Sequence, residues 1–198
     1  MTDPIPLAYS QSYHIYNRGN NGENLFREER NYHYFLNLYT KHIAPIADTY
    51  AYCLMRNHFH LFVWIRDEEE DLTGFRKPVR SLRSPSQAFS NLFNAYTKAF
   101  NKTYGRTGTL FERPFHRREV TSEGYALRLV TYIHQNPQKH GFVDDFRDWP
   151  YTSYATILSQ HPTHVRREAV LEWFQGTDNF EAEHQQAHDD VEFGDVET

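Results

Sequence analysis

Two histidines one residue apart, His58 and His60, are the first pair in this chain whose spacing can do chemistry. They open the run His-Phe-His-Leu-Phe-Val-Trp-Ile, whose aromatic and β-branched content reads as a strand. On a strand, alternate side chains share a face, so both imidazoles project together. At a rise of roughly 3.3 Å per residue they start about 6–7 Å apart, within reach of one divalent ion. The pair alone is a weak signal, because the chain carries 12 histidines. A second constellation is Tyr125, Leu129, Tyr132 and Asn136, which fall on one face of a helix with Tyr132 and Asn136 one turn apart. A phenol has a pKa of about 10 and needs help to attack a phosphodiester. A metal ion supplies part of that help by stabilising developing charge. Asn136 offers a neutral oxygen suited to Mg²⁺ or Mn²⁺, and Gln135 or His134 would take its place on a rotated helix. A third group, Arg113, His116, Arg117 and Arg118, surrounds Pro114 and Phe115 and suits phosphate clamping and base stacking, with Lys98, Lys102 and Arg106 close in sequence.

The charge distribution bears on the third group. The 198 residues carry a formal net charge of −5, which by itself argues against a polyanionic partner. From Gly74 to Arg118, however, there are ten cations (Arg76, Lys77, Arg80 and Arg83 among them) and one anion, Glu112, a net of +9. The acids collect in Asp67–Asp71 and from Asp178 onward. A basic middle beside acidic ends is compatible with nucleic-acid binding. With 15 Phe, 14 Tyr and 3 Trp the chain can build a core, which excludes a fully disordered protein. No apolar run approaches the roughly 18 residues of a membrane span, and no secretory signal is visible. The single cysteine, Cys53, excludes an internal disulfide and fits a reducing cytoplasm.

The elements that must position these residues follow from periodicity and punctuation. Tyr13 to Asn17 reads as a strand, Glu28 to Ile43 as an amphipathic helix, Thr49 to Met55 as a second strand and His58 to Ile65 as a third. Residues 67–83 read as a loop. Ser84 to Lys102 reads as a helix with Ser84 at the N-cap, Pro85 in the first turn and Gln87 completing a capping box. Thr109 to Val120 reads as extended, and Thr121 to Asn136 as a helix ended by Pro137. The order strand, helix, strand, strand, helix, strand predicts an α+β chain with a ferredoxin-like antiparallel sheet and helices packed on it. The expected division is a catalytic unit over 1–154, a helical extension over 155–176 and an acidic, disordered tail over 177–198.

Five stretches in order, Tyr13–Gly19, Ala51–Leu61, Gly108–Phe115, Tyr132–Pro137 and Trp149–Tyr154, resemble the single-tyrosine HUH transposases, and more narrowly the REP-associated tyrosine transposases of bacteria. The resemblance covers about Tyr13 to Tyr154. It implies cleavage and rejoining of hairpin-forming single-stranded DNA through a 5′-phosphotyrosine. On this sequence His58 and His60 match the metal pair and Tyr132 the nucleophile, with Asn136 as candidate third ligand and Mg²⁺ or Mn²⁺ as the ion. Arg18, Arg113, Arg117, Arg118 and Lys98 are the expected DNA contacts, in a monomer or homodimer. Arg56 stands where such proteins usually have proline. A DNA- or RNA-hairpin binder that no longer cleaves is the competing expectation.

Overall fold

The computed structural model describes residues 6–67 and 84–186. Four strands, β1 (Gln11–Arg18), β2 (Ala47–Leu54), β3 (His58–Ile65) and β4 (His116–Glu119), form one antiparallel sheet in the order β2-β3-β1-β4. Helices α1 (Glu29–His42) and α2 (Pro85–Tyr104) join β1 to β2 and β3 to β4. This is the split β-α-β plan expected from the sequence.

Alternation along β1 and β3 divides the molecule into two cores. Tyr13 and Ile15 of β1 and Phe59, Leu61, Val63 and Ile65 of β3 pack with Phe35 of α1 and with Phe89, Leu92 and Phe93 of α2. On the other face, Phe62 joins Leu129, Val130 and Ile133 of α3 (Glu123–Lys139). The C-terminal helices α4 (Tyr154–Leu158), α5 (Arg167–Trp173) and α6 (Thr177–His184) supply Ile157, Val170 and Phe180 to the same cluster. The open edge of β2 is covered as well. Ser153 N donates to Tyr52 O, Leu54 N to Tyr151 O and Arg166 N to Thr49 O, at 2.8–2.9 Å. Sheet edges left bare invite pairing with other chains, so this cover is protective.

Local chemistry explains where the elements start and stop. Ser84 Oγ accepts from Gln87 N, the expected N-cap, but the Gln87 side chain donates onward to Asn91, so no capping box forms there. The box occurs instead at α1, between Glu28 and Asn31. The extended stretch from Thr109 is a regular strand only over His116–Glu119, because Pro114 cannot donate to a ladder.

Two corrections concern the second half of the chain. Pro137 does not end α3, which runs on to Lys139 with His140 as C-cap. Proline has a helical φ, and this near the helix end it removes only one hydrogen bond. The acidic stretch expected to be unstructured from 177 begins with α6, whose Phe180 and His184 are buried; residues 187–198 lie outside the described residues, as does the expected loop at 68–83. Because Phe180 is fully enclosed by Tyr154, Phe174 and His134, Phe180→Ala should lower stability in urea denaturation by roughly 3–5 kcal/mol, the usual cost of emptying a buried phenylalanine site. A loss below about 1 kcal/mol would show that α6 is not part of the cooperative fold.

Candidate active site

His58 and His60 leave β3 on the α3 side of the sheet, with ring centres 5.3 Å apart and planes nearly perpendicular. Each ring is held by its Nδ1. His58 Nδ1 pairs with Asn57 Oδ1 at 2.8 Å, and His60 Nδ1 pairs with His14 Nε2 at 3.0 Å. His14 reaches this position from β1, whose antiparallel register sets it diagonally across from His60. The Asn57 oxygen can only accept, so His58 carries its proton on Nδ1 and a lone pair on Nε2. A proton on His60 Nδ1, donated to His14, has the same effect. Both Nε2 atoms are buried without a hydrogen-bond partner, and so is Oδ1 of Asn136.

Unpartnered buried polar atoms are rare and call for a reason. Here three of them, two imidazole nitrogens and one carboxamide oxygen, are borne by neighbouring side chains. Their chemistry fits a divalent metal ion, with the Nδ1 partners placed as the outer hydrogen bonds that fix ligand orientation. Among the described residues no three His, Cys, Asp or Glu side chains gather as a ligand cluster, and the unpartnered oxygen near the pair is that of the neutral Asn136.

Electrostatics favour the neutral ligand form. Burial first, then the neighbouring His140 charge and Arg18, push the His58 pKa down to about 3; the Asn136 side chain works against this, although its oxygen makes no hydrogen bond of proper geometry. Burial and then His14, His58 and His140 hold His60 well below the ordinary histidine value. Burial and Arg118 bring His14 down to about 3. Neutral imidazoles are what metal binding requires.

Tyr132 closes the site from α3. Its ring stands edge-on to His60 at 5.5 Å and to His14 at 6.2 Å, and is 1% exposed. Asn136, one turn on, bonds back to the Tyr132 carbonyl at 3.1 Å. The Lys139 ammonium lies 5.3 Å from the centre of the Tyr132 ring. His134 and Gln135, the alternative third ligands, point the other way. His134 bridges His184 and Ser153 at 2.8 and 2.7 Å, and Gln135 donates to the His184 and Gln186 carbonyls. The site is thus brought together within one chain.

The expected DNA contacts are divided by the sheet. β4 pairs Arg118 with His14 and His116 with Tyr16, placing both on the histidine face, where His116 stacks on Tyr16 at 5.1 Å. Arg18 shares that face and is paired with Glu112 at 2.7 Å. Arg117, opposite Ile15, turns to the α1–α2 side, where Arg113 bonds Asn94 and Lys98 is an exposed residue of α2. Arg76, Lys77, Arg80 and Arg83 lie outside the described residues. Sequence reasoning missed His14, Asn57, Lys139 and His140. His14 required the β1–β3 register, and His140, whose ring lies 4.7 Å from that of His58, was hidden by ending the helix at Pro137.

An α+β sheet of this topology thus carries paired histidines on a central strand and a tyrosine facing them from a helix. The chain is similar to a REP-associated tyrosine transposase of Haemophilus influenzae, 26% identical over 110 residues that span 54% of this chain and 58% of that protein. Its fold matches a solved structure of a REP-associated tyrosine transposase bound to a REP hairpin, with a TM-score of 0.57 and 17% identity over 82% of this chain and 89% of the other. No family model matches. The resemblance to REP-associated tyrosine transposases therefore holds in both sequence and fold.

Acid should expose the cost of these buried neutral histidines. As pH falls below about 6.5 the unfolded chain takes up protons that the folded His14 and His58 refuse until about 3. Stability is therefore full above about 6.5 and lost progressively below it, by about 1.4 kcal/mol per pH unit for each such group. Melting temperatures of metal-stripped protein from pH 8 to pH 4 should show this fall, and saturating Mn²⁺ should raise the whole profile without moving its onset, which the unfolded-state pKa sets. A flat profile would contradict the burial of the neutral rings.

Proposed function

We propose that this chain is a transposase-like enzyme that binds hairpin-forming single-stranded DNA and cleaves and rejoins it with Tyr132 as nucleophile. The observation that carries this reading is the set of buried, unpartnered ligand atoms on His58, His60 and Asn136 together with the Tyr132 ring edge-on to His60. Its likeness in sequence and fold to REP-associated tyrosine transposases supports the same conclusion. Since the chain spans 58% of its curated relative, the whole relative's activity comes to it only as part of this proposal.

His58, His60 and Asn136 would hold a divalent metal, Mg²⁺ or Mn²⁺, which when bound polarises the scissile phosphate and stabilises its developing charge. The Tyr132 oxygen attacks phosphorus, a new phenolic O–P bond forms and the bond to the 3′ oxygen breaks. The phenol gives up its proton and the departing 3′ oxygen gains one. The product is a 5′-phosphotyrosine and a 3′-OH, and the covalent link conserves the bond for rejoining. The Lys139 ammonium packs over the Tyr132 ring, 5.3 Å from its centre. Arg18 and Arg118, on the same face, are the phosphate contacts nearest this chemistry. Among the described residues no helix is long and apolar enough to cross a membrane.

Incubation of the purified chain with single-stranded hairpins drawn from the DNA around its gene tests the reading. A denaturant-resistant protein–DNA adduct should form with Mn²⁺, disappear with chelator and be absent in Tyr132→Phe, with the cleavage rate falling by at least about 10³-fold. Hairpin binding with no adduct under any metal condition would instead select a binder that does not cleave.

A further inference from the structure

One acid stands among the cations of the histidine face. Glu112 is the single carboxylate in the stretch from Gly74 to Arg118, and it lies between Arg18 and His116. Its Oε1 accepts from Arg18 Nε at 2.7 Å, and its Oε2 lies 3.9 Å from His116 Nε2. Both partners are on the face that carries His58 and His60. The backbone beneath the carboxylate is anchored on the end of β1. Glu112 N donates to Arg18 O at 3.0 Å, Asn17 Nδ2 donates to Glu112 O at 3.1 Å, and the preceding residue, Phe111, pairs with Gly19.

Stability does not account for the pair. The Arg18 side chain is 43% exposed and that of Glu112 27%, and ion pairs open to water contribute little to folding. A carboxylate here also repels a phosphate, so it is out of place on a surface that serves only to attract DNA. What the pair does change is the freedom of Arg18. An unpaired arginine samples many rotamers, and holding its Nε removes most of them. The two Nη groups make no hydrogen bond among the described residues, so their donors remain for another acceptor. Arg18 stands opposite His58 in the β1–β3 register, near enough for its charge to act on that ring.

We propose that Glu112 is a positioning residue for strand cleavage, which fixes Arg18 beside His58 so that its two Nη groups meet the phosphate attacked by Tyr132. The inference rests on the reading of this chain as a cleaving enzyme. Arg18 touches the substrate, and Glu112 acts through it at some cost in attraction for DNA. Misplacement of a contact by about 1 Å slows a chemical step by roughly 10²-fold, whereas attraction of a polyanion needs only charge. Loss of the carboxylate therefore separates rate from affinity.

Two measurements on the full chain with Mn²⁺ test this: hairpin affinity by fluorescence anisotropy, and single-turnover adduct formation at saturating DNA. Glu112→Ala should bind the hairpin as tightly as the wild-type chain or a few-fold more tightly, yet form adduct roughly 10²-fold more slowly. Glu112→Gln, which keeps an acceptor for Arg18 Nε, should recover part of the rate. The double variant Glu112→Ala/Arg18→Ala should be no slower than Arg18→Ala, because the two side chains act as one unit. An unchanged or raised rate in Glu112→Ala would make the carboxylate only a competitor of phosphate. Equal losses of affinity and rate would make the pair structural, and losses that multiply in the double variant would separate Glu112 from Arg18. Each of these overturns the positioning role while the cleaving enzyme stands. A wild-type chain that forms no adduct overturns both.

Discussion

The antiparallel register of β1 against β3 is the constraint on which the rest depends. It sets Tyr16 opposite His60 and Arg18 opposite His58, and brings His14 diagonally onto His60. A slip of one residue would turn every side chain of β3 to the opposite face, sending both histidines into the α1–α2 core. What prevents the slip is apolar burial. Phe59, Leu61, Val63 and Ile65 are at most 2% exposed between the sheet and the two helices. Each such side chain contributes about 1.5–3 kcal/mol. The four together outweigh the cost of holding three imidazoles neutral on the other side. The site is therefore stabilised from the face that does no chemistry.

The second support is α3, braced from behind. Tyr132 and Asn136 face the histidines, whereas His134 and Gln135 are tied to α6 through His184 and to the sheet edge through Ser153. His184 in turn bonds the Phe180 carbonyl at 2.7 Å. This polar chain sits within an aromatic shell, where connected hydrogen bonds are strong and omissions are costly. It fixes the rotation of α3, and that rotation decides which residue of the run 134–136 faces His58 and His60. The C-terminal segment thus helps to orient Tyr132.

Most of the fold was legible in the sequence, because the periodicities were strong and the punctuation local. The strand at His58–Ile65 and the Ser84 N-cap stand where the sequence places them. The histidine pair and the Tyr132–Asn136 spacing needed only the geometry of one strand and one helix. What stayed hidden depended on contacts between distant segments. His14 and His60 are 46 residues apart and meet only through sheet pairing. Composition described residues 177–184 as acidic and soluble in character, yet two well-placed aromatic side chains, Phe180 and His184, sufficed to dock them. The cations around Arg117 looked like one cluster in sequence, but period-two alternation assigns neighbours to opposite faces.

That alternation also resolves the apparent conflict between a net charge of −5 and a polyanionic partner. Exposed charges further apart than about 8–10 Å are largely screened at physiological salt, so the field a phosphate meets is set by local cations rather than by the total. On the histidine face those cations have a second effect. Added to burial, the largest cause in both cases, Arg18 lowers the pKa of His58 slightly and Arg118 lowers that of His14. The charges suited to holding a DNA backbone therefore also disfavour protonation of a candidate metal ligand and of the ring that positions its partner. An acidic surround would do the reverse on both counts, repelling phosphate and raising the imidazole pKa values. Attraction for a phosphate and neutrality of the buried rings are thus served by the same local cations, which add to the effect of burial.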